Sequence, residues 1–158
     1  MLRAATGTSA SRTQLNVGDR LLSAILPPNH ELPLLARIVA ELAHARSGDK
    51  ADWVDFGLFA WNAAGYAVLA REVTAQRVAE HFAPWLPGRV ECWLLPNILA
   101  IKLVLHDALQ GGGARNLRLD NLGKSMAAAL LRMDIHVSAD ELAACRAAPR
   151  VGWWGDTP

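Results

Sequence analysis

Trp53-Val54-Asp55-Phe56-Gly57-Leu58-Phe59-Ala60-Trp61, followed by Asn62 and Gly65 and then by Tyr66, Leu69, Ala70 and Val73, carries the clearest structural signal in this 158-residue chain. Aromatic and β-branched side chains favour a strand, and Asn62 and Gly65 supply turn signals behind it. The apolar positions from Tyr66 to Val73 then fall at helical spacing. Thr74 is placed to cap a second helical piece carrying Val78 and Phe82, which ends before Pro84 and Pro87-Gly88. Arg89-Val90-Glu91-Cys92-Trp93-Leu94-Leu95 alternates at its start and predicts another strand, stopped by Pro96.

Working outward, the apolar stretch from Leu34 to Ala43 is expected to be a strand that ends in an irregular turn at Arg46-Ser47-Gly48-Asp49-Lys50. On the other side, Asn97 is a favourable N-cap, and Ile98, Ile101, Leu105 and Leu109 form one stripe down a helix that Gly111 can terminate. A buried strand around Leu103-Val104-Leu105 is the rival, and length favours the helix. Asn116 to Asp120 alternates like a short strand, Lys124 to Arg132 reads as helix, and Met133 to Val137 as a last strand. Ser138 and Glu141 have the spacing of a capping box for a terminal helix. Strands alternating with helices predict an α+β class, a ferredoxin-like sandwich of one sheet with helices mainly on one face. Residues 1–33 are expected to form a partly flexible N-terminal extension with a short helix over Val17 to Leu26. Residues 34–137 form the domain, and 138–158 a helix with a Trp-rich tail.

The charge balance, 16 Lys and Arg against 15 Asp and Glu, offers no broad attraction for a polyphosphate backbone, which argues against nucleic acid as a partner. No apolar run reaches the roughly 18 to 20 residues that span a bilayer, since Pro96, Asn97, Lys102 and His106 interrupt the longest one. Cys92 and Cys145 share no CxxC pattern and suit reduced thiols in the cytoplasm. Met1 to Arg12 has the Ser, Thr and Arg content of an organelle transit peptide, but a disordered leader is the plainer expectation. Six Trp suit either core filling or an interface.

Two polar islands interrupt the apolar pattern. In Arg46-Ser47-Gly48-Asp49-Lys50, Lys50 supplies a point charge and the loop N–H groups supply donors for a carboxylate or phosphate; a solvated turn with a surface ion pair is the plain alternative. In Gly111-Gly112-Gly113-Ala114-Arg115-Asn116, glycines allow close backbone approach, and Arg115, with Lys124 further on, can hold an acidic ligand. His106 has the chemistry of a general base near neutral pH, and equally that of a His answering a helix C-terminal dipole. No spacing specifies a metal ligand set, and no cofactor is implied beyond CoA as part of a substrate. Both islands are expected to face one shared pocket.

The stretches Ala43-His44-Ala45-Arg46-Ser47-Gly48-Asp49-Lys50, Thr74 to Val78, Leu95-Pro96-Asn97, Val104-Leu105-His106, Gly111-Gly112-Gly113, Leu117 to Asp120 and Gly123-Lys124 occur in the order of a known family. Over about Leu42 to Val137 the chain resembles the AtuA-like ferredoxin-fold family, also found as the C-terminal part of acyclic terpene utilisation AtuA proteins. The resemblance implies a bacterial protein working beside a larger AtuA-type subunit, or as a homo-oligomer, in catabolism of branched or isoprenoid acids, with an acyl-CoA or small acidic molecule as ligand. It implies no catalytic residue set. The chain departs from the family pattern at Ala51-Asp52, where a Gly-Asn type continuation is usual, and at Asp55 and Lys102, where Asn is common. A stand-alone hydro-lyase or isomerase with His106 as base, and a non-catalytic assembly module using Trp153 and Trp154, are the alternatives.

Overall fold

A computed structural model describes residues 35–151 apart from Trp85 and Pro87. The expected helix over Val17 to Leu26 and the tryptophan-rich tail from Gly152 lie outside the described residues. Six strands and four α-helices follow one another: β1 (Leu35–Ile38), β2 (Ala43–Lys50), β3 (Trp53–Ala60), α1 (Ala63–Glu72), α2 (Ala75–Phe82), β4 (Val90–Leu95), β5 (Ala100–Leu105), α3 (Met126–Leu130), β6 (Asp134–Val137) and α4 (Ala139–Ala147). A four-stranded antiparallel sheet has the order β2-β3-β5-β4, and β1 pairs with β6 in a separate two-stranded ribbon. Strands β3 and β4 both run antiparallel to β5, which separates them. They are therefore parallel to each other and joined through α1 and α2, the split β-α-β connection of the ferredoxin-like α+β fold.

Alternation builds the core. Val54, Phe56 and Leu58 of β3 and Ile101, Leu103 and Leu105 of β5 are at most 1–2% exposed, and they pack against Tyr66, Leu69, Val78 and Phe82 from the helical layer. The Phe56 and Phe82 rings lie 5.8 Å apart at 44°, a tilted aromatic contact across the layers. Asn62 does more than turn the chain: its side chain accepts from the Gly65 N–H at 2.9 Å and caps α1, while its Nδ2 donates to the Cys145 carbonyl at 2.8 Å. Thr74 caps α2, and Ser138 with Glu141 forms the expected capping box on α4.

Glu72, at the end of α1, is buried and ties the helical layer together. It accepts from Arg71, from Arg77 and from the His136 N–H. Burial alone would raise its pKa, but those three donors outweigh it and hold the carboxyl below the usual glutamate range. Arg71 also bridges to Glu141 of the capping box, so α1, α2, β6 and α4 share one charge network.

Four local expectations are overturned. The apolar stretch from Leu34 to Ala43 is not one strand: β1 ends at Ile38, a 3-10 turn spans Val39–Glu41, and β2 starts at Ala43. The first island is not a turn: Arg46 to Lys50 is the second half of strand β2, in register with β3 from Ala43 opposite Ala60 to Lys50 opposite Trp53. The reversal is made by Ala51 and Asp52 alone, with Ala51 at φ 56°. The stripe from Ile98 to Leu109 is not a helix, because Ala100 to Leu105 is a strand buried between β3 and β4. A continuous apolar run is what a central strand needs, and periodicity does not separate it from a buried helix. Asn116 to Asp120 forms no strand; it belongs to the turns that lead into α3.

Candidate functional site

One face of the four-stranded sheet holds the helices, and the other carries a different set of side chains. Pairing aligns them in rows across the strands: His44, Phe59, Ala100 and Leu95, then Arg46, Gly57, Lys102 and Trp93, then Gly48, Asp55, Val104 and Glu91. Trp53 and Trp93 on this face are each 45% exposed, unusual for side chains of their size.

A cavity of about 310 Å³ opens on this face, small for a ligand site but within the usual class. Its polar end is lined by Arg46, Lys50, Lys102 and Lys124 together with Asp55, and its apolar end by Phe59, Leu95, Ile98 and Ala100. The Asp55 carboxylate is paired closely with Lys102 and lies 3.8 Å from Lys50. Lys124 reaches Asp49 at 3.2 Å. That hydrogen bond, with the nearby backbone, holds Asp49 below its ordinary pKa. Arg46 makes no hydrogen bond or ion pair with any described residue. Four cations against Asp49 and Asp55 leave the polar end with an excess of two positive charges.

Local structure explains the placement. Gly57 is bare because the Phe59 ring leans over it: an added Cβ would lie 2.9 Å from Phe59 Cε2. Gly48 is bare because the Lys124 ammonium occupies that space, 2.9 Å from where a Cβ would be. Lys124 is itself fixed by Asp120, whose carboxylate accepts from the Lys124 N–H at 2.7 Å and from the Ser125 N–H at 2.9 Å. Ser47 contributes to the cavity lining, but its hydroxyl is engaged elsewhere: it donates to the Gly123 carbonyl at 2.6 Å and accepts from the Ala127 N–H at 2.9 Å, which clamps α3 against β2.

The second island meets the first, but not around the cavity. Gly111 and Gly112 sit at φ 96° and 92°, and both N–H groups donate to Asp52 Oδ1, at 2.8 and 3.3 Å. The donors expected to hold a ligand anion thus hold the tip of the β2-β3 hairpin. Gly113 packs against Leu122, the Arg115 side chain folds over Gly111, and Asn116 is buried with its Oδ1 accepting from the Arg118 N–H at 2.9 Å. None of Gly111, Gly112, Gly113, Arg115 and Asn116 lines the cavity.

His106 lies beyond the end of β5 on the same open face. Its Nε2 is 2.9 Å from Glu91 Oε1 and 3.1 Å from an Arg89 guanidinium nitrogen, and its ring packs on Trp53 at 4.5 Å. It does not line the cavity. The positions that sequence reasoning did not select as site residues are Asp55, Phe59, Leu95, Ile98 and Lys102. Reading Ala100 to Leu105 as a strand would have placed Lys102 beside Gly57 and opposite the helical layer. Asp55 and Lys102 pair with one another. Among the described residues no group of three or more His, Cys, Asp or Glu could hold a metal ion, and no helix is long and apolar enough to cross a membrane.

No curated protein and no solved structure matches the chain. The family model of the AtuA ferredoxin-like domain matches residues 38–136, from the end of β1 to within β6, and so takes in the whole four-stranded sheet, its helical layer and the open-face cavity. With well over half its length accounted for in this way, the chain belongs to the AtuA ferredoxin-like domain family.

Proposed function

We propose that this domain binds an anionic ligand with an aliphatic tail, a carboxylate or its acyl-CoA thioester, on the open face of its sheet. It does so as the small subunit of an AtuA-type two-component enzyme in the catabolism of branched or isoprenoid acids. The carrying observation is the two-ended cavity, with Arg46, Lys50, Lys102 and Lys124 at one end and Phe59, Leu95, Ile98 and Ala100 at the other. A carboxylate has its charge met at the first end, or a neutral thioester carbonyl its hydrogen-bond acceptor, where Arg46 offers a planar fork of donors that no described residue engages. Lys124 completes the rim, held there by its hydrogen bond to Asp49, which does not itself line the cavity. Arg46, Lys50 and Lys124 are thus binding residues, Asp49 positions Lys124, Ser47 and Gly48 form part of the wall, and Gly111 and Gly112 support the hairpin tip through Asp52. Two cysteines without a disulfide support a cytoplasmic setting. The exposed Trp53 and Trp93 support a larger protein partner or a second copy against this face.

Calorimetric titration of the full chain with octanoyl-CoA and with octanoate tests the binding step. The wild type binds at least one of them, and Arg46→Ala weakens that binding by about tenfold or more, the loss expected for a charge-assisted hydrogen bond. A wild-type chain that binds neither sinks the reading. The His106–Glu91 contact supports a second reading, a stand-alone hydro-lyase or isomerase in which Glu91 orients the ring through Nε2 and Nδ1 exchanges the proton. That reading requires activity from the isolated chain that disappears in His106→Ala while the circular dichroism spectrum is retained.

A further inference from the structure

The connection from β4 to β5 is a single 3-10 turn, Pro96–Ile98, followed by Leu99 in the left-handed region at φ 51°, ψ 39°. A non-glycine residue avoids that conformation, which persists only where the surroundings enforce it. Here they do. The Leu99 N–H donates to the Pro96 carbonyl at 3.2 Å, the Leu99 carbonyl accepts from the Ala60 N–H at 2.9 Å, and the Leu99 side chain packs against the core. Pro96 adds a fixed φ at the start of the turn.

A backbone pinned at both ends holds Ile98 outward, 62% exposed, yet Ile98 lines the apolar end of the open-face cavity beside Leu95. From Arg46 on β2 to Leu95 on β4 the cavity crosses three strand spacings, about 14 Å. A ligand whose charge is met near Arg46 therefore lies across the strands, and its far end meets this turn. We infer that the Pro96–Leu99 turn is a fixed stop that sets the length of aliphatic chain the cavity accepts, with Ile98 as the specificity-determining side chain. The span suits a medium-length acid such as octanoate better than butyrate, which leaves the apolar end empty, or dodecanoate, which runs into Ile98. The inference rests on the binding reading given above.

The test is calorimetric titration of the full chain with butyrate, octanoate and dodecanoate, using wild type, Ile98→Ala and Ile98→Trp. Ile98 is exposed, so both variants are expected to keep the wild-type circular dichroism spectrum. Wild type favours octanoate. Removing the stop in Ile98→Ala raises the dodecanoate-to-octanoate affinity ratio by about tenfold, and filling the mouth in Ile98→Trp lowers octanoate affinity by a similar factor, the discrimination that one or two methylenes support in an apolar pocket. A length preference identical in all three proteins, with binding still lost in Arg46→Ala, overturns this inference and leaves the binding reading intact. Failure of the wild type to bind any of the three acids overturns both.

Discussion

The two faces of the four-stranded sheet are built from the same strands and differ in almost everything else. Toward the helices, Val54, Phe56, Leu58, Leu103 and Leu105 are closed off from water, and the buried carboxylate of that layer, Glu72, is saturated with donors. Away from them, Trp53 and Trp93 stay half exposed, Arg46 has no counter-charge among the described residues, and the glycines at 48 and 57 leave the backbone bare enough for neighbouring side chains to lie on it. An ordinary solvated face would be uniformly polar. A face with large apolar side chains at one end and surplus cations at the other is instead shaped like an amphiphile's complement.

The largest expected effect separates the faces by aromatic truncation. Phe56→Ala opens a cavity in the closed layer and lowers stability by about 3–5 kcal/mol. Phe59→Ala, one turn of the pleat away, costs far less stability and shows itself as weakened ligand binding. Chemical denaturation of both proteins makes the comparison, and equal losses would mean that the open face is packed as tightly as the closed one.

A second contrast concerns charge. Glu72→Ala strands Arg71, Arg77 and the His136 N–H, and is expected to cost about 2–4 kcal/mol, whereas Asp55→Ala on the open face costs under about 1 kcal/mol. Because the folded-state pKa of Glu72 lies below its unfolded value, its contribution is complete above the unfolded glutamate pKa of about 4.3 and is lost as pH falls through the lower folded value. Glu141 shifts in the same direction: burial opposes it, and Arg71 with the Ser138 N–H prevails. Denaturation followed from neutral to acid pH should therefore show a stability decline below about pH 4.3 that is shallower in Glu72→Gln. An unchanged pH profile in that variant would break the contrast.

A smaller effect than that of Glu72→Ala belongs to the hairpin tip that the two faces share. Asp52→Ala removes the acceptor for the Gly111 and Gly112 N–H groups and is expected to lower stability by about 1–2 kcal/mol without changing ligand affinity. Loss of affinity instead would tie the glycine turn to the cavity after all.

Elements whose signals are local were legible. The strand at Trp53, the capped helices behind Asn62 and Thr74, the strand at Arg89 and the Ser138–Glu141 box all follow from side chains acting within a few residues of themselves. Ser47-Gly48-Asp49 misled because its composition is that of a turn, while its strand conformation is imposed by eight residues of pairing with β3. Ala100 to Leu105 misled in the opposite way: its open-face positions include apolar Ala100 and Val104 beside Lys102, which masks the alternation that would have announced a strand. The site followed the same division. Arg46, Asp49, Lys50 and Lys124 were visible as polar residues in apolar surroundings, but Lys102 was hidden inside a segment assigned to a helix.

Alone, the order of residues determined the α+β class, most helix starts, the family and the polar groups available for binding, because propensity, capping and patterning act over short separations. Only the tertiary structure decided which strand Arg46 to Lys50 belongs to, that Gly111 and Gly112 serve Asp52 rather than a ligand, and that Lys124 closes on Asp49 across 75 positions. Pairing and convergence over such separations depend on which surfaces the folded chain brings into register, and no local pattern encodes that.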